Sequence, residues 1–527
     1  MTGPAAEPTA APGSTAAPGA TAAPGATAAP GATAAPGAAN GPWLRVVLIG
    51  VLAALLVGVG IVDRSVARPA RAPAASGGAL SALGVAPGAG SESTAWYCAG
   101  GTGAQGGAPA TIVLTNRSPR PVGGTLTVVA PLASSASTPV PWAQAHTMPV
   151  RVPPDGQATV GADQLGSTSL TAVAIVLDGG GVAVAESVSS PLGWSMAPCS
   201  TSTSTSWYFA HGATSQGSGL TLSLFNPGAT DATVDVALVS ATAGFLAPAA
   251  YQGIDIPPGS LVTENVGDHA PDDAALATEV TALSGGVVAT ELESVGTTGN
   301  GGISLLAGSP QPASRWVFAQ NTDLTGGKVA FHVLNPSTRP AVVSVAIGLP
   351  GGAAAEPLTL RVPPQGLSTL VAEDQTRIPA NLSYSAVFTS HGAAVVVGRQ
   401  VTSPPGVPAP VPEDGDVPGV AGGATRWILP ALVAPGTGPW ALAVVDLGPR
   451  PAHVTVTAPS GRGLPGQRTR RVAPGTALVI GPNPGPPLAT SPVGVTSDQP
   501  VAIELDALPV AGPGVVVVPA FPVGPTS

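Results

Sequence analysis

Side chains able to do chemistry are few in this chain, and each candidate is judged by its spacing and context. GTGAQG, Gly101–Gly106, has the glycine spacing that cradles a dinucleotide pyrophosphate, and TGGKVA around Lys328 resembles the end of a phosphate loop. Neither has the surroundings that chemistry needs. The first joins two strand-like runs with no helix N-terminus to receive a phosphate, and the second lacks both the earlier glycine and a following Ser or Thr. His211 follows WYFA, and the other five histidines are scattered. No HExxH or GxSxG motif occurs. Asp272 with Asp273, and Glu413, Asp414 and Asp416, could take calcium, but solvated loops are the simpler reading. We therefore expect no metal, no cofactor and no catalytic residue.

One acidic position recurs. Glu186, Glu291 and Glu504 each end a similar apolar run, where a third such run carries Arg399. A strand-end carboxylate repeated in this way is the candidate ligand surface of the chain. The plainer expectation is that it faces solvent. Glycoside hydrolysis requires two acids in one cleft, and nothing in this spacing demands that.

The two cysteines, Cys98 and Cys199, are expected to form a disulfide closing a loop of about a hundred residues. In the chain-entropy model such a bond stabilises by up to ~4.7 kcal/mol. It requires an oxidising compartment. Two cysteines with no histidine at ligand spacing argue against zinc.

These residues sit in a chain of 527, too long for one core. Hydrophobic content of 44% with 9% charge is not the composition of a disordered protein. The formal net charge is −9 with no basic stripe, so nucleic acid is not an expected partner. Residues 1–42 form an Ala/Pro/Gly tail built on the hexapeptide TAAPGA. Residues 43–62, WLRVVLIGVLAALLVGVGIV, are long and apolar enough for one transmembrane helix, with a cleaved signal peptide as the alternative. Arg64, Arg68 and Arg71 follow the span and only Arg45 leads it, which by charge alone places the C-terminus inside. The cysteine pair and the Ser/Thr/Pro-rich, lysine-poor composition favour the opposite orientation, with the bulk of the chain extracytoplasmic. Residues 63–94 read as a stalk.

Beyond the stalk the sequence repeats. Trp96, Trp207, Trp316 and Trp427 open four similar phrases spaced by 111, 109 and 111 residues. Each reaches a turn at Asn116, Asn226, Asn335 or Asp446. Positions six, four and two before that turn are apolar in every copy, from Ala110, Ile112 and Leu114 to Trp440, Leu442 and Val444. A second apolar run follows each turn at the same spacing of two, which marks strands with one buried face. VPPDG, IPPGS, VPPQG and VAPGT then punctuate the four copies before a closing apolar run. We expect an all-β fold of four tandem Ig-like β-sandwich repeats after the transmembrane helix, arranged as beads on a string. A propeller-like closed repeat is the alternative. The expected boundaries are 95–200, 206–310, 314–403 and 426–525, with a linker over 404–425.

The phrase WYFA, the alternating run ending in NP, PPGS and the closing VVA.E resemble the actinobacterial domain-of-unknown-function family 5719, over residues 95 to about 525. The resemblance implies a membrane-anchored envelope protein and brings no known catalytic residue. The expected function is a non-catalytic spacer or binding array for an envelope glycan or another envelope protein. The alternative is an accessory subunit or enzyme acting on cell-wall polysaccharide.

Overall fold

The computed structural model describes residues 93–523, apart from 105, 133–144, 167–168, 298–299, 323–327, 350–352, 380–381, 403–414, 421, 432–436, 458–468, 481–491 and 510–515. The tail, the 43–62 span and nearly all of the stalk lie outside the described residues, as do Glu413 and Asp414. Among the described residues no helix is long and apolar enough to cross a membrane.

The fold is nearly all β. The first pair of sheets uses β1 (Ala95–Cys98), β2 (Ala110–Asn116), β3 (Val122–Val129) and β4 (His146–Val152). It continues with β5 (Gly156–Gly161), β6 (Ala172–Leu177), β7 (Val182–Ser190) and β8 (Gly193–Pro198). Their orders are β1-β6-β3-β4 and β5-β2-β7-β8.

The second pair uses β9 (Ser206–Phe209), β10 (Ser218–Asn226), β11 (Ala232–Ser240), β12 (Gly244–Leu246) and β13 (Ile254–Ile256). β14 (Ser260–Asn265), β15 (Leu276–Ser284), β16 (Val288–Thr297) and β17 (Asn300–Ala307) complete it. The orders are β12-β11-β15-β9, with β13 also on β11, and β14-β10-β16-β17.

The third pair has β18 (Arg315–Thr322), β19 (Lys328–Asn335), β20 (Ala341–Gly348) and β21 (Leu358–Val362). β22 (Gly366–Val371), β23 (Ser383–His391), β24 (Val396–Thr402) and β25 (Gly415–Pro418) follow. They form β18-β23-β20-β21 and β22-β19-β24-β25.

The last segment has β26 (Ala424–Leu429), β27 (Thr437–Asp446), β28 (Ala452–Thr457) and β29 (Arg470–Val472). It ends with β30 (Ala477–Ile480), β31 (Val493–Pro509), β32 (Val516–Val518) and β33 (Phe521–Pro522). Here one long strand, β31, pairs first with β26 and β28 and then with β27 and β32, so the segment is a single eight-stranded sheet that bends into two layers and takes the place of a fourth pair. All ladders between these strands are antiparallel, and every sheet is open.

The chain therefore crosses repeatedly between two facing layers, with hairpins such as β3–β4 and β7–β8 kept within one sheet, unlike the wholly sequential meander of a propeller blade. The core between the layers is made by the period-two residues. Ile112, Leu114, Leu126 and Ile175 are fully buried in the first pair, and Phe331, Val333, Val343 and Val345 in the third. The four tryptophans lie at the centres of these cores. Trp207, Trp316 and Trp427 donate their indole N–H to the carbonyls of Val287, Val395 and Val501, at the head of each closing run, over 2.7–3.1 Å.

The two punctuation marks of each copy turn out to be one device. The Asn335 side chain donates to the carbonyls of Arg339 (2.7 Å) and Pro363 (2.9 Å) and accepts from the Ser337 amide (3.1 Å). Asn116 and Asn226 do the same for their own turns and for Pro153 and Ile256. Asp446 has no such donor and accepts from Gly448 and Ala452 instead. Opposite each, Asp155, Gly259, Gln365 or Gly475 takes a left-handed backbone conformation, with φ of 44°, 66°, 45° and 70°. Each sends its amide to a carbonyl of the facing turn. A Pro-Pro dipeptide in three copies, and Ala473-Pro474 in the fourth, sets φ just before this residue.

Two expectations are corrected. The 404–425 span is not a free linker, because its β25 completes the third pair and β26 begins at Ala424. The sheet pairs are not beads on a string either. Hydrophobic clusters join first to second, second to third and third to fourth, and the largest joins the fourth back to the first. At that closure Trp96 meets Phe521 edge to face, with ring centroids 5.9 Å apart.

Asn335→Ala removes the donated bonds to Arg339, Val362 and Pro363 and the two bonds accepted from Ser337 in a buried turn. It should lower stability by about 2–3 kcal/mol, read from the denaturant midpoint at unchanged slope. A shift below about 0.5 kcal/mol would contradict the role given to this side chain.

Candidate functional site

The recurrent strand-end acids come to rest inside the protein. Glu186, Glu291 and Glu504 are all buried, so they form neither an open ligand surface nor a solvated edge. They are not equivalent to one another. Glu186 pairs with Ile112, Glu291 with Leu222, and Arg399 with Phe331, each four residues before its turn. Those three side chains share the core-facing side of their strand. Glu504 pairs with Ala443, only three residues before Asp446, and the residue aligned with the other acids is Leu505. Glu504 therefore projects from the opposite face.

That opposite face is where the sheet pairs meet. At three junctions the loop after one tryptophan packs on the outer face of the closing strand of the next pair, and at the fourth-to-first junction it meets β5. Between first and second, a Cβ on Gly100 would lie 3.0 Å from the Thr290 methyl and 2.1 Å from Leu305. Between second and third, Ala210 sits over Gly398, and His211 stacks on His332 with centroids 4.0 Å apart. Between third and fourth, Glu504 accepts the amides of Ala319 (2.8 Å) and Gln320 (3.2 Å). Between fourth and first, the Gln157 side chain accepts the Ala431 amide at 2.8 Å and donates to its carbonyl at 3.3 Å. His211 is thus a junction residue. GTGAQG lies in the β1–β2 loop, where the Gly101 amide is bound by Glu186 at 2.8 Å.

The third-to-fourth junction holds the strongest electrostatics. Arg399 pairs with Glu504 at 2.7 Å, both almost fully buried. The guanidinium also donates to the Gln320 carbonyl and to Asn321 Oδ1, and lies 5.6 Å from the centre of the Phe318 ring. Burial works against its charge, but Glu504 and Asp506 more than offset that and hold the Arg399 pKa above its usual value. Asp506 is pushed well up by burial and then by the charge of Glu504.

Elsewhere, burial raises Glu186 to about 7 against the opposing amides of Gly101, Gly100 and Ala99. His332 is held well below its ordinary pKa by burial and then by His211, so its imidazole stays neutral at pH 7. Among the described residues no group of His, Cys, Asp and Glu could hold a metal.

Sequence reasoning missed several of these residues. Glu293, two positions after Glu291, binds the Ala213 amide at 2.8 Å within its own sheet pair. The Glu-Leu-Glu spacing carried that signal, since residues two apart share a face. His332, Gln157 and Asp506 gave none, because their partners are 121, 274 or about a hundred residues away.

The expected disulfide is present between Cys98 and Cys199, with both sulfurs buried. It joins β1 to the residue that follows β8. In the second and third pairs the same two places hold Phe209 with Gly308 and Phe318 with Gly419. There a Cβ on the glycine would stand 2.7 or 2.8 Å from the phenyl ring. One covalent link and two aromatic rings over glycine thus do the same structural work.

Glu504→Ala leaves the Arg399 charge buried without its carboxylate and should cost about 3–5 kcal/mol. Arg399→Leu combined with Glu504→Leu should cost less than Glu504→Ala alone; additive losses in a double-mutant cycle would refute coupling across this junction. Glu186 has an unfolded pKa near 4.5 and a folded one near 7, so its stabilisation is complete below 4.5 and is lost as pH rises through 7. The stability excess of the parent over Glu186→Gln should therefore fall by about 3 kcal/mol across that interval. A pH-independent difference would contradict it.

The model of a family of unknown function (DUF5719) matches residues 178–483, from the end of β6 through β30. No curated protein matches the chain. With more than half of its length matched, and with the Asn-Pro turns and the closing runs of the second and third sheet pairs inside the match, the chain belongs to the DUF5719 family.

Proposed function

We propose that the chain is a membrane-anchored extracytoplasmic protein, without catalytic activity, that serves the cell envelope as a structural spacer or binding scaffold. In this reading residues 43–62 span the membrane once. The four sheet pairs are four tandem copies of one Ig-like sandwich module, closed on themselves. The observation that carries it is the use made of the reactive side chains. Glu186, Glu293, Glu504, Arg399 and His332 are engaged in holding loops and junctions together rather than lining an open cleft. A glycosidase needs two free carboxylates facing one substrate. The buried disulfide supports an oxidising location, because cytosolic thiols are kept reduced.

Protease treatment of spheroplasts tests the topology. The region after residue 95 should be degraded at exposed loops while the cytoplasm stays intact, and full protection would overturn the outward orientation. Incubation of the full chain with cell-wall polysaccharide should release no product. Sustained turnover would replace the scaffold by the enzymatic alternative.

A further inference from the structure

The fourth-to-first junction has space beside it. A cavity of about 570 Å³ opens between the turns of the first sheet pair and the β26, β28 and β31 strands of the fourth. Its wall carries two guanidinium groups, Arg117 and Arg426, with the hydroxyl residues Ser118, Thr457 and Thr496, and no acidic side chain among the described residues. The volume is that of a small-molecule site, concave and edged by a few convergent polar groups.

Arg117 is the informative residue. It follows the turn residue Asn116 where the other three copies have Pro227, Pro336 and Leu447, so the turn itself does not require a cation. Its Nη1 is buried without a hydrogen-bond partner. Its guanidinium packs beside Gly494, where a Cβ would come within 3.1 Å of Nη2 and 3.0 Å of the Thr457 hydroxyl. Burial lowers the Arg117 pKa, and Asp155, which is outside the cavity wall, opposes that shift. Planar guanidinium groups match the paired oxygens of phosphates and carboxylates, and two of them on one wall with no carboxylate among the described lining residues suit it to such an anion.

We propose that this cavity binds the phosphate or carboxylate group of an anionic sugar, with Arg117 and Arg426 on the oxyanion and Ser118, Thr457 and Thr496 beside the sugar hydroxyls. The proposal deepens the scaffold reading and rests on it, by naming the class of envelope component that the scaffold would hold. Arg117 and Arg426 come from opposite ends of the folded chain, so the site exists only because the fourth sheet pair returns to the first.

The test is calorimetric titration of the full chain with glucose 6-phosphate, glucuronate, inorganic phosphate and glucose. Saturable binding of at least one of the two anionic sugars is expected, tighter than that of inorganic phosphate. Glucose should not bind. Arg117→Gln and Arg426→Gln should each weaken binding by about tenfold or more, with an unchanged melting temperature marking an intact fold. Absence of binding by both anionic sugars overturns the proposal, as does equal binding of glucose, or of inorganic phosphate at the same affinity. Affinity unchanged in both variants overturns it too. If the titrated sugar is recovered chemically altered, the non-catalytic reading fails while the anion site stands. If nothing binds to a chain shown to be extracytoplasmic, only the site fails.

Discussion

The whole arrangement depends on burying both faces of one layer in every sheet pair. β2, β10, β19 and β27 present period-two aliphatics to their own cores, and their other faces lie under the loop that follows the tryptophan of the preceding pair. Val113, Ser223, His332 and Ala443 occupy that outer face and are all buried. A sheet left open there would expose apolar surface along its length, at roughly 25 cal/mol for each Å². Cyclic packing removes that exposure from all four pairs at once, including the first and last, which in a linear array would each keep one uncovered face.

Each junction meets this requirement with different chemistry. Close backbone approach suffices at Gly100. A histidine stack, a buried ion pair and a side-chain amide bonded to a backbone peptide serve the others. The ion pair is the costly solution, because both charges lose water and regain it only through exact complementarity of Arg399, Glu504 and the two amides. Such a contact is weak as a source of stability and strong as a constraint on register, since a one-residue slip of β31 would turn Glu504 and Asp506 away from Arg399. The disulfide acts similarly at the first pair, where Phe over Gly would serve as well, and its distinctive consequence is to make that pair depend on oxidation.

Much of this architecture was legible in the chain. The spacing of Trp96, Trp207, Trp316 and Trp427, the alternation before each Asn or Asp, and the Pro-Pro turns located the strands and their buried faces, because side chains two apart share a side of a strand. Cys98 and Cys199 could be paired because no other cysteines compete. The acids were misplaced for an equally physical reason. Glu504 looks like the partner of Glu186 and Glu291 in its local context, but a one-residue shift relative to the turn sends a side chain to the opposite face. Only the pairing of Ala443 with Glu504 reveals the shift.

The sequence by itself determined the all-β character, the positions of the cores and the disulfide, since each rests on short-range periodicity or on a unique pair of residues. The tertiary structure alone decided that the fourth pair closes on the first, that the acids are interior, and that Arg117 and Arg426 face one cavity. Those outcomes depend on contacts between residues from about seventy to more than four hundred positions apart, and no local pattern records which outer face will meet which loop.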